Sequence, residues 1–254
     1  MKIAIAGKGG VGKTTISALI CWALNDKGFD VLAVDADPDT NLGSVLGFPS
    51  SKKITPIIKM KELVEERMGV QQGNRSLFKL NPKVDDIPDK FMREHRGVKL
   101  IVMGTIEGGD SGCACPENTF LKRLLHQIAL RANEHIVVDF EAGLEHLGRG
   151  TADKFDHLLI VVEPTNLSLD SFDRILPLAK DIGIKKIWAV ANRVKTSKDL
   201  EFMRARLGKQ ELLGSVSFSP ACSEASQSGN WEILRQDKIY QDVGNIVKAL
   251  LIKE

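Results

Sequence analysis

The sequence predicts an α/β fold: a doubly wound, mostly parallel β-sheet flanked by helices. Three observations lead there. First, short apolar runs recur along the chain, at Lys2–Ala6, Val31–Asp35, Lys99–Met103, His135–Asp139, Leu158–Glu163, Ile187–Ala191 and Leu212–Val216. Helical patterns fit between them, at about 13–27, 117–132, 167–182 and 197–207. Strand–helix alternation of this kind implies right-handed βαβ units. Second, most of the runs are nearly continuous in Ile, Val, Leu and Ala, as expected of strands buried on both faces of a parallel sheet. Third, 254 residues is close to the upper limit for one core, and neither a repeat nor a low-complexity segment divides the chain. Residues 1–254 therefore read as a single domain.

Residues 55–97 fit the alternation least well. They hold one amphipathic helix candidate, Pro56–Met68, followed by a polar stretch containing Gly and Asn, and read as an insertion carrying a short hairpin plus helices. The tail places Val243, Ile246, Val247, Leu250 and Leu251 on one helical face. Its basic face is thin (Lys248, Lys253), so packing onto the sheet is expected rather than membrane binding.

Bulk composition narrows the partners. Hydrophobic residues make up 43% and charged residues 27%, with a formal net charge of +2 and no long single-sign block. That is an ordinary globular balance with no tail for nucleic acid or a membrane surface. No apolar run reaches the roughly 18–20 residues that span a bilayer. The N-terminus enters a strand directly, so a cytoplasmic location is expected and no disulfide framework is needed for Cys21, Cys113, Cys115 and Cys222.

The strongest chemical signal is Gly7-Lys8-Gly9-Gly10-Val11-Gly12-Lys13-Thr14-Thr15, directly after the first strand. Glycines let the backbone bend so that successive N–H groups point inward at a phosphate, and the following helix N-terminus adds partial positive charge. Lys13 can reach the β- and γ-phosphates of a nucleotide, and the Thr14 hydroxyl can bind Mg²⁺. The second strand ends in Asp35-Ala36-Asp37-Pro38-Asp39-Thr40-Asn41. Ligands of doubly wound sheets gather at the carboxyl ends of strands, so these groups should lie near the phosphates. Asp35 can hold magnesium-bound water, and Asn41 can contact phosphate when the loop closes. Asp39 reads equally well as an exposed turn residue. A further strand, Ile136-Val137-Val138, ends in Asp139, the usual acidic residue holding magnesium through water in such sites.

The second lysine, Lys8, beside the first glycine resembles the deviant Walker A pattern of the ATPase family that includes septum-positioning, plasmid-partitioning, nitrogenase-iron-protein and tail-anchored-protein ATPases. The resemblance implies a homodimer in which Lys8 crosses the interface to the partner's phosphates. It implies that Asp37 orients the attacking water, that Gly143 brings its N–H to the γ-phosphate, and that Asn192 contacts the base. The run Asn192-Arg193-Val194-Lys195 lacks the guanine-reading Asn-Lys-x-Asp pattern, which favours ATP. Phe218-Ser219-Pro220 is a candidate wall for the base, with Pro220 in contact.

Cys113-Ala114-Cys115 lies in a Gly-containing loop at about 104–116, ahead of a helical pattern. Thiolates near a helix N-terminus gain ligand character. One Cys-x-Cys pair supplies two ligands where a soft tetrahedral site wants four, so two protomers of a twofold dimer would complete the set. The surrounding stretches Ile54-Thr55-Pro56-Ile57-Ile58, Leu80-Asn81-Pro82-Lys83-Val84-Asp85, Cys113-Ala114-Cys115-Pro116-Glu117-Asn118 and Gly143-Leu144-Glu145-His146-Leu147-Gly148-Arg149-Gly150-Thr151 resemble the CooC type of accessory ATPase, which matures the nickel site of carbon monoxide dehydrogenase. That resemblance implies Ni²⁺ or Zn²⁺ between four cysteines of a homodimer, with Glu145, His146 and Arg149 as coupling candidates. The client it implies is carbon monoxide dehydrogenase or the related acetyl-CoA synthase. Two other readings stay open: a positioning switch on membrane or DNA, and an iron–sulfur carrier ATPase.

Overall fold

The computed structural model describes residues 1–70, 77–106, 116–130, 134–141, 144, 147, 149–207 and 212–253. In chain order the strands are β1 (Lys2–Ala6), β2 (Val31–Ala36), β3 (Arg93–His95), β4 (Val98–Val102), β5 (His135–Phe140), β6 (His157–Val162), β7 (Ile187–Val194) and β8 (Leu212–Ser217). The helices are α1 (Lys13–Asn25), α2 (Leu42–Val45), α3 (Lys61–Met68), α4 (Ile87–Phe91), α5 (Pro116–Leu130), α6 (Arg149–Ala152), α7 (Asn166–Asp181), α8 (Ser197–Leu207), α9 (Ala221–Ser228) and α10 (Lys238–Ile252).

The strands form one sheet in the order β3-β4-β2-β5-β1-β6-β7-β8. All neighbours run parallel except the short edge pair β3–β4. The expected α/β fold class is therefore what the chain adopts. Successive residues of β1 feed opposite faces. Ile3 and Ile5 join a core built with Leu19 and Ile20 of α1 and with Val243 and Ile246 of α10. Ala4 and Ala6 join another built with Phe120 and Leu124 of α5 and Phe172 of α7. Burial on both faces is why the strands read as unbroken apolar runs.

β1 lies between β5 and β6, while β2, which follows β1 in sequence, sits beyond β5. The chain thus turns to one side of β1 first and to the other side later, which opens a crevice at the carboxyl end of β1. The loop after β1 and the ends of β2 and β5 converge on that crevice.

Several boundaries differ from the sequence expectation for identifiable reasons. The stretch Pro56–Met68 is not one helix. A 3₁₀ turn spans Ile57–Lys59, Met60 (φ −83°, ψ 74°) interrupts, and α3 begins at Lys61. The Ile58 N–H is captured by the Met103 carbonyl at 3.1 Å, an alternative to continuing the helix. The expected hairpin is present but belongs to the sheet edge: His95 pairs with Val98 around Arg96 (φ 50°) and Gly97 (φ 79°), a two-residue turn with both central residues left-handed. β7 runs three residues past Ala191, so Asn192 stands inside a strand rather than after one, where the β7–β8 register shifts.

In α10, Val243, Ile246, Val247 and Leu250 are buried and pack into the core beside α1 and β8. Ile246 seats directly over Gly214 of β8, where a Cβ would meet Ile246 Cγ1 at 2.7 Å. No helix among the described residues is long and apolar enough to cross a membrane. Replacing Ile246 with Ala should lower the unfolding free energy by about 2–5 kcal/mol in urea titrations. A loss below about 1 kcal/mol would mean that α10 is not a packed core element.

Candidate functional site

The loop from Gly7 to Gly12 joins β1 to α1. Gly7 has φ 144°, and a side chain there would run into the Val161 carbonyl of the neighbouring strand β6. Gly12 (φ 93°) opens α1 and, being glycine, offers no side chain to cap the first N–H groups of the helix. Val11, between the two ends, is buried and anchors the loop in the core. Its carbonyl accepts a 2.7 Å hydrogen bond from Asn192 Nδ2. Asn192 is itself buried, and a Cβ at Gly12 would lie 2.5 Å from its Nδ2. Strand β7 therefore braces the loop from behind.

Lys13 is largely buried, and its Nζ bends back to the Lys8 carbonyl at 3.4 Å. Lys8, Gly9 and Gly10 are exposed, and Thr14 and Thr15 are half-buried. A concave backbone, a helix N-terminus and an ammonium group curled over both make an anion cradle.

The acidic groups come from neighbouring strands. Asp35 of β2 and Asp139 of β5 are register partners, and both are fully buried. Asp35 is held by its own loop: Oδ1 accepts the Asp37 N–H at 3.3 Å and Oδ2 accepts the Leu42 N–H at 3.0 Å. Asp139 Oδ1 accepts from Ser17 Oγ at 3.0 Å, whereas Oδ2 is buried with no hydrogen-bond partner among the described residues. Burial pushes the Asp139 carboxyl up to about 6, against the lowering influence of Thr14, Ser17 and Lys13. Burial, and then the charge of Asp139, hold the Asp35 carboxyl well above its ordinary value despite its two N–H donors. Burial also raises Asp37, offset by the Asp39 N–H at 2.9 Å and by Lys13. Asn41 and Asp39 are exposed on the same loop.

Paired buried carboxylates with an unpartnered oxygen, beside a threonine and a phosphate cradle, fit a hard divalent cation such as Mg²⁺. Such an ion takes oxygen ligands and stabilises the charged form that burial disfavours.

Beside the cradle lies a cavity of about 430 Å³, lined by Gly12, Thr15, Leu19, Asn192, Phe218 and Pro220 among others. Phe218 is half-exposed and carries Lys195 Nζ 4.7 Å from its ring centre. Arg193, in the left-handed region at φ 57°, pairs with Glu163 at the cavity edge. The volume falls in the range of small-molecule sites.

Residues 2–233 match the model of the CobQ/CobB/MinD/ParA nucleotide binding domain. The chain belongs to the CobQ/CobB/MinD/ParA nucleotide-binding family. It is 45% identical to the carbon monoxide dehydrogenase accessory protein CooC of Rhodospirillum rubrum, over 90% of this chain and 88% of that one. It is 42% identical to an ATP-binding protein of Methanocaldococcus jannaschii, over 90% and 88% of the two chains. The cell-division protein MinD of Aquifex aeolicus shares the fold, with a TM-score of 0.71 at 22% identity, covering 100% of this chain and 98% of that one. Within the family, the chain is a P-loop ATP hydrolase of the CooC type.

Against that family background, the structure brings Gly7–Thr15, Asp35, Asp37, Asn41, Asp139, Asn192 and Pro220 to one end of the sheet. Cys113, Cys115, Gly143, Glu145 and His146 lie outside the described residues. Among the described residues no group of three or more His, Cys, Asp or Glu could hold a metal ion. The sequence reading did not single out Ser17, whose hydroxyl lies 3.0 Å from Asp139 Oδ1. Its signal was present, since a polar residue one turn after Lys13 interrupts an otherwise apolar helix.

The bracing of the loop has a measurable consequence. Gly12→Ala would force a Cβ into a left-handed backbone and against Asn192. ADP affinity measured by calorimetry should fall by about tenfold or more, and unchanged affinity would contradict the geometry.

Proposed function

We propose that this ATPase carries nickel to carbon monoxide dehydrogenase, coupling metal capture and release to its nucleotide state. The observation that carries this reading is the 45% identity, over nine-tenths of the chain, to a carbon monoxide dehydrogenase accessory protein. It is joined to the Cys113-Ala114-Cys115 pair just ahead of α5. A second copy of the chain supplies the other two thiolates, so Ni²⁺ sits between protomers as cargo. Thiolates accept Zn²⁺ as readily as Ni²⁺.

In this reading the N–H groups of Gly9, Gly10, Val11 and Gly12 and the first turn of α1 bind the phosphates. Lys13 leaves the Lys8 carbonyl for the β- and γ-phosphates. Thr14 and Asp139 hold Mg²⁺, which supplies charge neutralisation at the phosphate oxygens when bound. Asp35 clasps the loop that carries Asp37 and Asn41 through the Asp37 and Leu42 N–H groups. Asp37 accepts a hydrogen bond from the attacking water, whose oxygen bonds to the γ-phosphorus as the bridge to the β-phosphate breaks. Lys8 of the partner stabilises the charge that develops, and Asn41 and the Gly143 N–H close on the γ-phosphate. Asn192 and Pro220 face the adenine, as their positions on the cavity wall support. Loss of the γ-phosphate then releases these loops and the dimer that closes the thiolate site.

Titrating Ni²⁺ anaerobically into the reduced protein, with and without ATP, tests the proposal. The parent chain should take up one ion per two chains with a thiolate charge-transfer band. Cys113→Ser/Cys115→Ser should lose both. Equal nickel binding by that double variant would contradict the shared site, and colour from an iron–sulfur cluster in freshly isolated protein would favour a different cargo. Lys8→Ala should abolish ATP-dependent dimerisation and slow hydrolysis by at least about tenfold. Normal dimerisation and turnover would remove the cross-dimer role.

A further inference from the structure

Asp35 and Asp139 share a register position but not a hydrogen-bond environment. Asp35 takes a backbone donor on each oxygen. Asp139 takes Ser17 Oγ on Oδ1 at 3.0 Å and keeps Oδ2 sealed from solvent with no partner among the described residues. Ser17 is fully buried, flanked on α1 by Ile16, Ala18 and Leu19, all buried as well. A serine in such a helix is already satisfied by its own backbone, and Ser17 Oγ does lie 2.9 Å from the Lys13 carbonyl. Its one hydroxyl proton is divided between the Lys13 carbonyl and Asp139 Oδ1, at 2.9 and 3.0 Å, and the ionised carboxylate is the stronger acceptor of the two. The bond to Asp139 joins the second turn of α1 to the residue near the end of β5, beside the phosphate cradle.

A carboxylate with one oxygen fixed cannot turn about its terminal torsion without breaking that bond, a torsion that is otherwise broad. Hydrogen bonds of this kind orient metal ligands throughout metalloproteins. We infer that Ser17 is a positioning residue: by occupying Oδ1 it presents Oδ2 of Asp139 as the oxygen that serves the magnesium ion. The Lys13 turn keeps its own helical backbone, so the hydroxyl acts on Asp139 and leaves the phosphate cradle as it is. The inference rests on the reading of Asp139 as a magnesium residue, and it adds the device that aims it.

The test compares ADP affinity, by calorimetry, in EDTA and in Mg²⁺ for the parent, Ser17→Ala and Ser17→Cys. The cysteine variant keeps most of the volume while replacing a strong donor with a weak one, and it carries the test should the alanine variant fail to fold. In EDTA all three should agree within about twofold, because the phosphate cradle is untouched. In Mg²⁺ the parent should bind more tightly, and both variants should lose about tenfold or more of that gain. Variants that keep the full gain overturn the inference. So do variants weakened equally in EDTA and Mg²⁺, since packing alone would then explain Ser17. A parent chain whose ADP affinity ignores Mg²⁺ overturns the magnesium reading itself, a failure visible in the parent arm alone.

Discussion

The parallel pairing of β2 with β5 sets Asp35 beside Asp139, and the helices on both faces seal the two carboxylates from water. Moving a carboxylate out of water costs several kcal/mol even after relaxation, and a like charge alongside adds to it. For Asp139 the rise from 3.8 to about 6 corresponds to about 3 kcal/mol held against the ionised form at neutral pH. The sign follows from the direction: a raised carboxyl favours the protonated chain, so this penalty sets in as pH climbs from 3.8 toward 6 and persists above it. A divalent cation at this spot offsets that penalty. The fold thus keeps a stored demand for positive charge beside the loop from Gly7 to Gly12.

The two carboxylates meet that demand differently. Asp35 is committed to backbone donors at both ends of the loop from Asp37 to Leu42. Its own carbonyl accepts from Met103 at 2.9 Å and from Gly104 at 3.1 Å, where the chain leaves β4 for the cysteine-bearing segment. Gly104 is pinned there, since a Cβ would lie 2.8 Å from Pro56 Cβ. One residue therefore ties the acidic loop to the start of the segment that leads to the cysteines.

Much of this was legible in the sequence because the relevant signals are local. The glycine spacing from Gly7 to Gly12, the apolar run closing on Asp139 and the Lys8–Lys13 pair each state their chemistry within a few residues. What escaped depended on contacts distant in the chain. Asn192 read as a residue after a strand, but β7 continues and its amide reaches back to Val11, 181 positions away. Ser17 joins Asp139 across 122 positions. The break at Met60 arises because Ile58 is claimed by Met103, which no helical periodicity over 56–68 can report. In the opposite direction, the Cys113–Cys115 pair is conspicuous in sequence, and as two ligands it would need a second chain to make the four-thiolate site proposed above.

In the proposed function one dimer would meet two demands, positive charge at the buried carboxylates and two more thiolates at the cysteine pair. Native mass spectrometry of the reduced chain with nickel, in the presence of a non-hydrolysable ATP analogue or of ADP, addresses that union directly. The account predicts a species of two chains, two Mg-nucleotides and one nickel ion with the analogue, and its depletion with ADP. One nickel ion per single chain, or the same metal-bound dimer regardless of nucleotide, would contradict it.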